Sequence, residues 1–63
     1  MIDEREIWTA ASMVLDQHGD DAPRFIAERI GSLALEGDEV GISVWKLIAH
    51  RLDELRSLHS RIQ

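Results

Sequence analysis

Gly37-Asp38-Glu39-Val40-Gly41-Ile42-Ser43-Val44-Trp45-Lys46-Leu47-Ile48-Ala49-His50-Arg51-Leu52-Asp53-Glu54-Leu55-Arg56-Ser57-Leu58-His59-Ser60-Arg61-Ile62 decides how this chain folds. Within it Gly41, Trp45, Ile48, Leu52, Leu55, His59 and Ile62 recur at alternating spacings of 4 and 3. That is a heptad seam on one side of a helix, interrupted only by Gly41 and His59. Val44, Leu47 and Leu58 widen it on one flank. No proline or glycine breaks residues 42–63, so the spacing predicts a single helix over about residues 39–61.

Two Gly-Asp dipeptides, Gly19-Asp20 and Gly37-Asp38, cut off two shorter segments ahead of it. The middle one, about residues 21–36, has Pro23 in its first turn, where a missing N–H costs nothing. Asp20 or Asp21 is expected to cap it, and Gly37 to end it before Asp38 caps the next helix. Ala22, Ile26, Ile30 and Leu33 form its apolar stripe, with Ala27, Gly31 and Ala34 beside them as a strip of small residues. A glycine inside a helix costs about 1 kcal/mol against alanine, and close approach of another helix is the expected reason for Gly31. The first segment, about residues 4–18, opens with Asp3 and Glu6 in a capping-box arrangement. Ile7, Trp8, Ala11, Val14, Leu15 and His18 then fall within an arc of about 120°. His18 suits a helix C-terminus, and Gly19 is expected to supply a left-handed cap. The chain reads as one all-α domain over residues 1–63, an up-down-up three-helix bundle. Its expected core is Trp8, Ala11, Val14, Leu15, Ile26, Ile30, Leu33, Trp45, Ile48 and Leu52.

The lengths do not match. At 1.5 Å per residue the first two helices span roughly 22 Å each and the third roughly 35 Å. Two short helices leave the far end of the long one bare. The expectation is a homodimer through helix three, using Ile48, Leu52, Leu55, Leu58, His59 and Ile62. Size points the same way. A domain of about 60 residues is marginal alone, and with no cysteine it has neither disulfides nor thiolate metal sites to stabilise it.

The net charge is −5 and unevenly spread. Residues 1–45 hold ten acids and three bases, whereas residues 46–63 hold four bases and two acids. Acidity argues against a phosphate backbone as partner and suits helix N-termini, where most of these acids fall. A helix-turn-helix reading of the last two helices meets the same objection. Its recognition helix would begin Asp38-Glu39-Val40-Gly41, with no base-reading side chain in its first turn. The N-terminus is acidic and lacks the order of a signal peptide, and apolar runs are too short to span a membrane. A cytoplasmic protein is expected.

His18-Gly19-Asp20-Asp21 is the one cluster with the look of a metal site. Tetrahedral or octahedral coordination needs further ligands from elsewhere, and capping accounts for each of the four residues. His50, Asp53 and Glu54 share a helical turn, but in the reverse order of a Glu-x-x-His site and on the polar side of the seam. Arg29, at the edge of its stripe, is expected to snorkel or to pair with Asp16. There is no phosphate loop, catalytic triad or nucleophilic cysteine.

Glu6-Ile7-Trp8, Gln17-His18-Gly19-Asp20-Asp21-Ala22, Ile26-Ala27, Arg29, and Gly37-Asp38 followed by Gly41, Trp45 and Ile48 carry a resemblance. Over about residues 6–52 the chain resembles a group of short bacterial proteins of unknown function. The resemblance implies that the His-Gly-Asp-Asp-Ala turn and the Gly-Asp-x-x-Gly-x-x-x-Trp segment belong to a shared helical design. It implies no activity. The functional expectation is a non-enzymatic protein-interaction or regulatory module, with no cofactor, metal or nucleic acid, that pairs with itself and has room for another protein partner. The alternatives are a metal-dependent enzyme or sensor using His18, Asp20 and Asp21, and a helix-turn-helix nucleic-acid binder.

Overall fold

The computed structural model describes the backbone of residues 3–62 and the side chains of residues 3–58. The protein is all-α, with three helices packed together: α1 (Glu4–His18), α2 (Ala22–Glu36) and α3 (Glu39–Ile62). A 3₁₀ turn, Gly19–Asp21, joins α1 to α2.

The helix ends follow from local chemistry at Asp3, Gly37 and Asp38. Asp3 has extended backbone angles, φ −72° and ψ 144°, and its Oδ1 accepts from the Arg5 N–H at 3.1 Å. Glu6 does not close the expected capping box. Its backbone N–H donates to the Asp3 carbonyl, and the second Asp3 oxygen pairs with the Arg5 guanidinium instead. Gly37 ends α2 in the left-handed region, φ 73° and ψ 22°. The Asp38 N–H donates to the Leu33 carbonyl at 3.0 Å and the Gly37 N–H to that of Ala34 at 3.1 Å, a Schellman closure. Asp38 then caps α3, its Oδ1 accepting from the Gly41 N–H at 2.9 Å. The α1–α2 junction departs from expectation. Gly19 has φ 53° but ψ −127°, outside the left-handed helical region, because the chain turns straight into the 3₁₀ segment. Neither Asp20 nor Asp21 caps α2 with its side chain. Asp21 is already helical, φ −88° and ψ −2°, and its carboxylate pairs with Arg24 Nε at 3.1 Å. The turn does the capping, since the Ala22 N–H donates to the Gly19 carbonyl.

α3 is the spine. α1 and α2 each pack mainly on it and only lightly on one another. One buried cluster joins Ile7, Ala11 and Val14 of α1, Ala22 and Ile26 of α2, and Ile48 and Leu52 of α3. Of the ten expected core residues, Ala11, Val14, Ile26, Leu33, Ile48 and Leu52 are buried, and Trp8, Leu15, Ile30 and Trp45 are half-buried. Ala11 and Ala22 are both 0% exposed, so the small residues that are buried between helices are these two alanines. Gly31 is not among them; it is exposed, and an added Cβ there meets nothing within 4 Å. Gly31→Ala should therefore stabilise the protein by about 1 kcal/mol, through helix propensity alone. A melting temperature that fell on this substitution would show a hidden contact at Gly31.

The helix register moves the exposed apolar surface. Leu33 of α2 lies within van der Waals reach of Gly41, and Pro23 lines a depression with Leu52 and Arg56, so α2 runs antiparallel to α3. The first residue of α1, Glu4, pairs with Arg51 in the middle of α3. Leu55, expected to be bare, is therefore half-buried and packed against the core. Leu58 beyond it is 54% exposed, and near the other end of α3 Val40 is 76% and Leu47 48% exposed.

Candidate functional site

The expected self-association residues separate into distinct environments. Ile48 and Leu52 are buried in the core, so their side chains offer no outer surface. Leu55 leans on that core, and Leu58 is open to solvent. The side chains of His59 and Ile62 lie outside the described residues. The large apolar side chains that face outward along α3 share only Leu58 with that set: they are Val40, Leu47 and Leu58, separated by 7 and 11 residues. Both separations return to within about 20° of the same azimuth at 3.6 residues per turn. The three form one stripe, beside the side of α3 that holds α1.

Between Leu47 and Leu58 this stripe carries the densest polar network of the described residues. The Arg51 guanidinium bonds Glu4 across to α1 and Glu54 along α3, the latter at 2.7 Å. Glu54 Oε1 also lies 3.1 Å from His50 Nε2. The guanidinium carbon sits 5.2 Å from the centroid of the Trp8 ring, a cation–π contact. Its Nε is buried without a hydrogen-bond partner among the described residues. Partial burial opposes the charge on Arg51, but bonding and charge from Glu4 and then Glu54 outweigh it and raise its pKa above the ordinary value. Arg51 is the residue that sequence reasoning missed. It falls on the edge of the apolar seam, beside Leu52 and one turn after Leu47, and an arginine at a seam edge is a signal for an inter-helix pair. The same network explains Trp8, expected in the core yet half-buried. Its ring carries the Arg51 guanidinium over one face.

The His18–Asp21 corner is built for packing. The His18 ring stacks on Phe25 with centroids 4.0 Å apart and planes 15° apart. Phe25 meets Trp45 edge-on at 5.9 Å, and the Arg29 guanidinium carbon stands 5.8 Å from the Trp45 centroid. Arg29 thus finds an aromatic face; the expected pairing with Asp16 is absent among the described residues. His18, Asp20 and Asp21 do not form a group that could hold a metal ion. Among the described residues no three His, Asp or Glu side chains converge in a way that could hold a metal ion. No described helix is long and apolar enough to cross a membrane.

Gly41 explains the first interruption of the seam. A Cβ there would lie 2.6 Å from Asp38 Oδ2 and 3.1 Å from Leu33 Cδ2, so the capping carboxylate and a core leucine occupy the space a side chain would need. The Gly-Asp-x-x-Gly segment is thus one device: Gly37 ends α2, Asp38 caps α3, and Gly41 makes room for that cap.

No curated protein and no solved structure matches the chain. A family pattern does, over residues 3–60, which takes in α1, α2, all but the last two residues of α3, and every cap and turn described above. The chain belongs to that family, DUF6961, a family of unknown function.

Proposed function

We propose that this protein is a small interaction or regulatory module without chemistry of its own, acting in the cytoplasm and pairing with itself through α3. The observation that carries this reading is the row of large apolar side chains left open on α3, Val40, Leu47 and Leu58, on a chain small enough to need added burial. The polar clusters are accounted for without a substrate. Asp3 and Asp38 cap helices, Asp21 pairs with Arg24, His18 stacks on Phe25, and Arg51 ties α1 to α3.

Sedimentation of the purified chain over a wide concentration range tests the reading, with elemental analysis of the same sample. A concentration-dependent dimer without stoichiometric metal is the expected result. A monomer at every concentration that carries a stoichiometric transition metal, lost in His18→Ala, would overturn it in favour of a metal-dependent function at the α1–α2 corner.

A further inference from the structure

We draw no further inference here: the strongest candidate, the exposed apolar stripe of Val40, Leu47 and Leu58 on the outer flank of α3, is an unpartnered helix face, and nothing in the structure shows what covers it.

Discussion

Leu52→Ala is expected to remove a large share of the protein's stability at 25 °C. Leu52 is 2% exposed and belongs to the one cluster in which all three helices meet. Truncating a buried leucine costs about 2–5 kcal/mol, from lost transfer energy and the cavity left behind. A chain of this length has a total stability of roughly 3–9 kcal/mol at ordinary per-residue values. The substitution therefore removes a large share of it. It also acts in the middle of the spine helix, where neither α1 nor α2 can move in without losing contacts elsewhere. The measurement is a thermal melt followed by helical circular dichroism, at equal concentration for variant and wild type. For a domain of this size each 1 kcal/mol is worth about 4–8 °C, so the midpoint should fall by at least about 8 °C. A smaller drop would mean that the stability resides elsewhere than in this cluster.

Gly41→Ala is expected to destabilise by about 1–2 kcal/mol, although the same exchange at Gly31 stabilises. At both sites alanine is the better helix former. At Gly31 nothing opposes that gain. At Gly41 the new methyl would sit 2.6 Å from Asp38 Oδ2 and 2.9 Å from its Cγ. The carboxylate must move, and with it the bond it accepts from the Gly41 N–H, a cap worth about 0.5–2 kcal/mol. Leu33, a buried residue, must give way as well. Asp38→Ala provides the control. It should cost about 1 kcal/mol alone, and the double variant Asp38→Ala/Gly41→Ala should lose less than the two single losses combined, because the clash disappears with the carboxylate. Urea unfolding of the four proteins measures this. Strict additivity would show that the cap and the glycine are independent.

Much of the fold is legible in local sequence. The three helices, the caps by Asp3 and Asp38 and the αL turn at Gly37 depend on contacts within a few residues. Each is set by a backbone N–H, a short polar side chain or a positive φ. The apolar stripes were legible for the same reason, since a 3.6-residue period is a property of one helix. Glu6 and the Asp20-Asp21 pair show the limit even of local reading. A competing partner close by, Arg5 for Asp3 and Arg24 for Asp21, takes the carboxylate that a motif assigns elsewhere.

Tertiary structure alone decided how far along α3 the first helix sits. Periodicity tells which face of a helix is buried but carries no information on axial offset between two helices. That offset is set by packing and by the Glu4–Arg51 pair, which joins residues far apart in the chain. The offset covers Leu55, buries Ile48 and Leu52, and leaves Val40, Leu47 and Leu58 open. It also makes Ala11 and Ala22, rather than Gly31, the fully buried small residues, and sets the Arg51 guanidinium over Trp8. The residues that form helices were thus readable one segment at a time, whereas which apolar residues stay exposed emerged only from how those helices are set against one another.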